Sequence, residues 1–256
     1  MQIHRLRGYI QNIFLIEYPH GCLLLDGACK ADYKVIKDYF EQTLKRPLTD
    51  LKVVMVTHMH PDHAGCAHYL RKQTGCRIVS GDFSQQWYSG VSGRLAHLVD
   101  IFLASWVAKR LGRKRQFIWY PSQLHADQML KEGDCVPEFK EWRVISTPGH
   151  TSMDISLYHA KQKILYVADL VVKVKGQLSP PFPVSFPQAY KNSLRRLHAF
   201  TDYEILMAHV PQQQISHQEI DRLIDEAPST AQNNRQVLLD LTRKLARFKT
   251  QATDNS

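Results

Sequence analysis

The chain has no Cys-x-x-Cys pair, and its five cysteines, Cys22, Cys29, Cys66, Cys76 and Cys135, form an odd, scattered set. That argues against a disulfide framework and against a thiolate zinc site, and predicts buried free thiols. Nor is there a run approaching the roughly 18 uninterrupted apolar residues that a membrane-spanning helix needs. Where a signal peptide would require an apolar stretch, the first residues include His4, Arg5, Arg7 and Glu17. The expectation is a cytoplasmic protein without a transmembrane segment. No internal repeat, low-complexity tract or obvious linker breaks the 256 residues, so a single domain over 1–256 is expected. At 44% hydrophobic and 22% charged, the composition is that of a globular chain in which disorder is not the main state.

Acidic residues are in deficit. The chain carries 33 Lys and Arg against 24 Asp and Glu, a net charge of +9. Much of the excess sits in two clusters, Lys109, Arg110, Arg113, Lys114 and Arg115, and then Arg243, Lys244, Arg247 and Lys249. Such clusters attract nucleic acid, anionic lipid or an acidic substrate, and solvated helix faces also produce them. No aromatic-interleaved RNA motif accompanies either one, so nucleic acid is not the favoured partner.

Periodicity supplies the elements. Ile10 to Glu17 and Cys22 to Leu25 read as a hairpin across Pro19-His20-Gly21, and Asp26-Gly27 ends its second strand. Val35, Ile36, Tyr39, Phe40 and Leu44 recur at helical spacing, which predicts an amphipathic helix over 31–44. Lys52 to Val56 is a continuous apolar run typical of a strand buried on both faces. Arg77 to Ser80, Trp142 to Thr147, Ile155 to His159 and Lys163 to Ala168 read as further strands, and Ala189 to Phe200 as a helix. Pro180, Pro181, Pro183 and Pro187 make a rigid loop before it. Ser216 with Glu219 forms a capping-box pattern, and Val237, Leu238, Leu241, Leu245 and Phe248 mark another helical stripe, predicting C-terminal helices over about 216–249.

The most informative stretch follows the buried strand. His58, His60, Asp62 and His63 place four potential metal ligands within six residues, in a loop that can splay them in different directions. Imidazole and carboxylate together suit zinc, iron or manganese, and the absence of neighbouring cysteines disfavours a closed structural zinc site.

This His-x-His-x-Asp-His register resembles the metallo-β-lactamase-fold superfamily, and the resemblance extends along most of the chain. Thr147-Pro148-Gly149-His150-Thr151 is similar to the family's second histidine motif, Tyr166-Val167-Ala168-Asp169 to its strand ending in a metal-bridging Asp, and Met207-Ala208-His209 to its final histidine. Asn12 and Leu25-Asp26-Gly27 match the opening hairpin, and Tyr190 with Ser193-Leu194-x-x-Leu197 resembles the helix before the last ligand. The resemblance implies an α/β fold, an αββα sandwich of two mixed sheets flanked by helices. It also implies two divalent ions, zinc first and iron or manganese as alternatives. His58, His60 and His150 would bind the first, Asp62, His63 and His209 the second, and Asp169 both. Two departures stand out: Ala168 precedes Asp169 where the family often has Gly, and Ala208 and Val210 flank His209 where it often has Gly-His-Gly. Asp26 reads either as a residue orienting a ligand or as a plain turn Asp.

Two ions held this way would leave positions open, and a water bridging them would lose a proton near neutral pH to give a hydroxide nucleophile. Asp62 would then be the catalytic residue that shuttles the proton to the leaving group. Within the superfamily, Asp169 disfavours the zinc β-lactamases, which generally carry Cys or Ser there. His60 disfavours the flavo-diiron proteins, which place Glu there, and the chain lacks the extra domain of the messenger-RNA-processing nucleases. What remains is the glyoxalase II, lactonase, esterase and compact phosphodiesterase group. The expectation is a hydrolase acting on a small carboxylic ester, thioester or lactone. A phosphodiesterase acting on RNA or nucleotides is the alternative, and a noncatalytic metal-binding module a third reading.

Between His63 and His150 the residues Leu95, Leu98, Val99, Phe102, Leu103 and Trp106 fall on one helical stripe, with His97 and Asp100 off it and Trp87, Tyr88, Trp119 and Tyr120 nearby. We expect a helical cap insertion over about 82–125, its apolar face covering the metals and favouring an acyl substrate. Packing on the core, a second subunit, or a peripheral membrane contact with Lys109 to Arg115 beneath are the other readings.

Overall fold

A computed structural model describes residues 1–82 and 84–233. The second C-terminal stripe, Val237 to Phe248, and the Arg243 to Lys249 cluster lie outside the described residues. The first sheet runs β1 (Gln2–Arg7), β2 (Asn12–Tyr18), β3 (Gly21–Leu25), β4 (Leu51–Val56), β5 (Arg77–Ser80) and β6 (Gln128–Met129), in that spatial order. β1 to β3 are antiparallel neighbours, and β3 to β6 are parallel. Its connections carry α1 (Tyr33–Asp38), extended by one π turn to Leu44, α2 (Pro61–Ala64), α3 (Ala67–Thr74) and α4 (Gly90–Arg110). β1 was not expected from the sequence, because His4, Arg5 and Arg7 interrupt the alternation with polar side chains on both faces.

The second sheet takes β7 (Cys135–Val136), β8 (Phe139–Ser146), β9 (Ile155–His159) and β10 (Ile164–Tyr166). A separate ribbon, β11 (Val172–Val174) and β12 (Gln177–Ser179), and helix α5 (Pro187–Arg196) follow, before β13 (Glu204–Met207) and β14 (Val210–Gln213) complete the sheet in the order β14-β13-β10-β9-β8-β7. α6 (His217–Glu226) then starts from the expected capping box, with Ser216 Oγ accepting from Glu219 N and the Glu219 carboxylate accepting from Ser216 N.

Alternation along the strands builds four layers. Phe14, Ile16, Leu23, Val53 and Met55 point into the space between the sheets, where they meet Trp142, Val144, Leu157 and Tyr166. Their neighbours Leu15, Leu24, Val54 and Val56 point outward onto Ile36, Phe40 and Leu70. On the far side Ile145, Leu165 and Ile205 pack against Tyr190 and Leu194 of α5 and Ile220 and Leu223 of α6. The result is the expected αββα sandwich. All five cysteines are free, and all but Cys135 are buried.

α4 corrects one expectation. It forms as predicted, but Leu95, Leu98 and Phe102 are 59%, 48% and 56% exposed, while the off-stripe His97 and Asp100 are buried with Gly93, Ala104 and Ala108. Leu95, Leu98 and Phe102 of the stripe therefore face away from the protein, whereas Val99, Leu103 and Trp106 are half-buried. The Tyr88–Asp100 hydrogen bond, ring packing and close approach hold this orientation. Asp100 accepts a hydrogen bond from Tyr88 Oη at 2.7 Å, and His97 packs its ring among Tyr88, Trp119 and Tyr120. Gly93 lets Tyr88 in, since a Cβ there would sit 2.4 Å from the Tyr88 carbonyl carbon.

Candidate metal centre

Within each sheet the strands preceding the candidate ligands share one direction. β3 and β4 are parallel, and β8, β10 and β13 are co-directional through β9. Their following loops carry Asp26, His58 to His63, His150, Asp169 and His209 to the same edge of the sandwich. Asn12 ties the two sheets there: its N donates to Ala208 O at 2.6 Å, and its side-chain amide to the Met207 and Val210 carbonyls.

Local chain geometry places each side chain. His60 precedes Pro61 at the first position of α2, a short turn that lets His58, His60, Asp62 and His63 diverge. Gly149, at φ 147°, brings the His150 loop against α5, where a Cβ would lie 2.4 Å from Tyr190 Cα. Ala168 adopts φ 47°, the left-handed conformation that glycine takes most easily.

All seven predicted ligands converge, in two groups. His58, His60, His150 and Asp169 bring one ligand atom each within 4.8 Å of one another, and so do Asp62, His63 and His209. In the first group His60 Nδ1 is 3.1 Å from His58 Nε2 and 2.9 Å from His150 Nε2. In the second, Asp62 Oδ2 is 3.1 Å from His209 Nε2 and 3.5 Å from His63 Nε2. Asp169 lies between them. Its Oδ2 is 3.9 and 3.8 Å from His58 and His150, and its Oδ1 is 3.3 Å from both His63 and His209. His63 Nε2 and Asp169 Oδ1 are buried without a hydrogen-bond partner, an arrangement costly for polar atoms unless a cation fits between them. Nitrogen and carboxylate oxygen suit a divalent transition metal.

Each of the five histidines turns its rear nitrogen toward an oxygen. His58 Nδ1 faces Thr57 Oγ1 at 3.1 Å, His150 Nδ1 the Pro183 carbonyl at 2.7 Å, and His209 Nδ1 the Ile10 carbonyl at 3.1 Å. His63 Nδ1 meets Asp26 Oδ2 at 2.8 Å, and His60 Nε2 looks at Asp100 Oδ2 from 3.8 Å. Acceptors behind the rings favour the tautomer whose front nitrogen carries a free lone pair. Asp26 is thus more than a turn residue. Beneath Asp62, Gln11 Nε2 donates to the Asp62 carbonyl and to Asp32 Oδ2, and Asp32, pushed up to about 6 by burial, also accepts from Tyr9 N. Sequence reasoning missed Thr57, Gln11, Asp32 and Asp100. Thr57 and Gln11 adjoin flagged motif residues, but backbone acceptors and distant carboxylates leave no pattern in a sequence.

Charge within the site is divided. Burial, and then the neighbouring imidazoles, hold His58 well below its usual range, and burial with His150 lowers His60 to about 3. Burial works against charge on Asp62 and Asp169 too, yet His63 and His209 overcome it and keep both carboxylates ionised. His63 is correspondingly held up by Asp169, Asp62 and Asp26 against its burial.

A cavity of about 150 Å³ opens over the centre, lined by His60, Asp62, Asp169 and His209 on its floor and by Ile10, Leu103, Val107 and Phe182 on its walls. α4 thus does flank the site, through Leu103 and Val107 rather than through Phe102 and Leu98. A hollow of about 160 Å³ adjoins it at Ile10 and His209 and includes Arg7 and Arg113. A larger depression of about 440 Å³ is lined by residues such as Lys131, Glu132 and Ser152 and by none of the candidate ligands, so the chemistry belongs to the smaller cavity.

The comparisons agree with this architecture. The chain belongs to the metallo-beta-lactamase superfamily, whose profile matches residues 6–209. It is similar to the probable metallo-hydrolase YflN of Bacillus subtilis (strain 168), 27% identical over 189 residues, covering 68% of this chain and 66% of that protein. It is also similar to a hydroxyacylglutathione hydrolase of Rhodopseudomonas palustris (strain HaA2), 26% identical over 164 residues, covering 63% of this chain and 48% of that one. The chain therefore spans less than two thirds of the length of either relative. Among solved structures, the metallo-beta-lactamase family protein TTHA1429 of Thermus thermophilus superposes with a TM-score of 0.66 at 20% identity, covering 87% of this chain and 78% of that one.

Proposed function

We propose that the chain is a dinuclear metal-dependent hydrolase acting on a carboxylic ester, thioester or lactone. The observation that carries this reading is Asp169, whose two oxygens face two separate histidine groups. His58, His60 and His150 would hold one divalent ion, Asp62, His63 and His209 the other, and Asp169 both, with zinc the first candidate and iron or manganese the alternatives. When bound, such a pair supplies a nucleophile from water at neutral pH and polarises the substrate carbonyl.

The chain's own groups do the rest. Leu103, Val107, Ile10 and Phe182 exclude water from the cavity wall and accept an acyl chain. Asp62, ionised and lining the cavity floor, would take the proton released by the attacking water and pass it to the leaving oxygen or sulfur. The rear acceptors hold the imidazoles in place so that little reorganisation is needed. A second reading, phosphodiester hydrolysis, is favoured by Arg7 and Arg113 in the hollow beside His209, which suit an anionic substrate.

The test is a panel of aryl esters, thioesters, lactones and bis-aryl phosphodiesters, run with zinc, manganese and iron in turn, beside elemental analysis. About two metal ions per chain and turnover of acyl substrates are expected. Asp169→Ala should lose one ion preferentially and most activity. Turnover of the phosphodiesters alone would favour the second reading, and no metal after careful loading would refute both.

A further inference from the structure

We propose that α4 and the segment after it form a docking surface for an anionic lipid bilayer, with the helix lying in the membrane–water interface. Val91, Leu95, Leu98 and Phe102 are spaced by four, three and four residues, so they form one narrow ridge, 79%, 59%, 48% and 56% exposed. Leu111 and Phe117, 53% and 77% exposed, add further apolar side chains to the segment after the helix. A helix this apolar is ordinarily buried in a core or in lipid, yet only 22% of its most apolar window is buried.

The charges select the occupant. From 84 to 126 the basic residues are Arg94, Lys109, Arg110, Arg113, Lys114 and Arg115, and the single acidic residue, Asp100, is buried. A second copy docking through the same ridge with parallel helices would bring these cations together, and with antiparallel helices would set each basic cluster beside the acid-free start of the other helix, so neither arrangement offers an acid of the segment to pair them. Nucleic acid would neutralise the cations but leave the ridge in water. An anionic bilayer satisfies both: basic residues sit at the headgroups while Val, Leu and Phe of the ridge enter the acyl boundary. The opposite face, with His97 and Asp100 locked to Tyr88 and Tyr120, stays on the protein, so the helix lies on the membrane rather than across it. Leu103 and Val107, on its flank, place the mouth of the cavity beside that surface. The inference does not depend on which bond the centre hydrolyses.

Vesicle co-sedimentation tests it, using the full chain loaded with zinc. Wild type should pellet with phosphatidylcholine vesicles containing phosphatidylglycerol, much less with phosphatidylcholine alone, and should be released by salt. The triple variant Leu95→Ser, Leu98→Ser, Phe102→Ser and the triple variant Lys109→Glu, Lys114→Glu, Arg115→Glu should each reduce partitioning by about tenfold or more. Both alter exposed side chains, so melting temperature and metal content should match wild type. Three results would overturn the proposal: wild type that stays in the supernatant with anionic vesicles, a serine variant that binds as wild type does, or a dimer in sedimentation velocity that the serine variant abolishes without any vesicle binding. The last would assign the ridge to a second copy.

Discussion

Asp26 Oδ2 lies 2.8 Å from Nδ1 of His63 and also accepts from Tyr166 Oη at 2.7 Å, while Oδ1 accepts from the Thr57 backbone at 2.7 Å. One buried carboxylate on the loop after β3 thereby orients a ligand on the loop after β4 and anchors the end of β10 across the sandwich. Asp26→Asn keeps the shape but exchanges an acceptor for a donor where four protein groups, the Thr57 hydroxyl among them, donate. We expect the ion held by His63 to bind about 10-fold to 100-fold more weakly, measured by chelator competition. Unchanged affinity would show that His63 is oriented by packing alone.

Protonation of the metal-free centre sets a pH dependence. Burial acts to discharge His209, but Asp169 and Asp62 overcome it and raise its pKa to about 10, and His63 shifts in the same direction. These values lie above the unfolded value of about 6.5. Their contribution to metal-free stability is therefore complete below about pH 6.5 and is lost as pH rises toward 10. A bound cation must displace the same protons, so metal affinity should rise across that window. Melting curves of chelator-stripped and zinc-loaded protein from pH 6.5 to 10 should diverge, the stripped form falling. Parallel curves would contradict the pairing.

Gly149→Ala should be poorly tolerated. The new Cβ would meet Tyr190 Cα at 2.4 Å, on a backbone at φ 147°. Overpacking and backbone strain together are expected to cost about 3 kcal/mol, and the loop carrying His150 should shift. Thermal unfolding and metal stoichiometry should both decline. A variant with wild-type melting temperature and full metal would remove the close packing of this loop from the account.

Leu103 and Phe102 are neighbours with opposite expected roles. Leu103→Ser and Val107→Ser should lower kcat/KM for long-chain acyl substrates by roughly tenfold or more relative to acetyl ones, since each buried methylene contributes about 0.8 kcal/mol. Phe102→Ser, outside the cavity, should leave the chain-length profile in solution unchanged. A flat profile in all three variants would exclude an acyl pocket at this wall.

The candidate ligand set was legible because its chemistry is local in residue type. His58, His60, Asp62 and His63 share one short loop, and His150, Asp169 and His209 each sit in a recognisable motif. Strands β2 to β5 and β8 to β10 were legible from apolar runs. β1 was not, because His4, Arg5 and Arg7 interrupt the pattern, and the short strands β6, β7 and β11 to β14 were not read either. Asp32 and Asp100 gave no signal, because a carboxylate's role depends on what folds against it.

By itself the sequence determined which side chains could bind metal and where the longer strands run, because both follow from residue type and spacing, while the four layers were implied by the resemblance to the superfamily. Only the tertiary structure decided which face of α4 is buried. Its apolar stripe predicted one answer, while the Tyr88 hydrogen bond to Asp100, the aromatic cage around His97 and the close approach at Gly93 impose the other. Hydrophobicity ranks the faces of an isolated helix. Packing chooses among them only after the partners are in place, and a buried polar group with its hydrogen bonds made can outweigh an apolar ridge left facing outward.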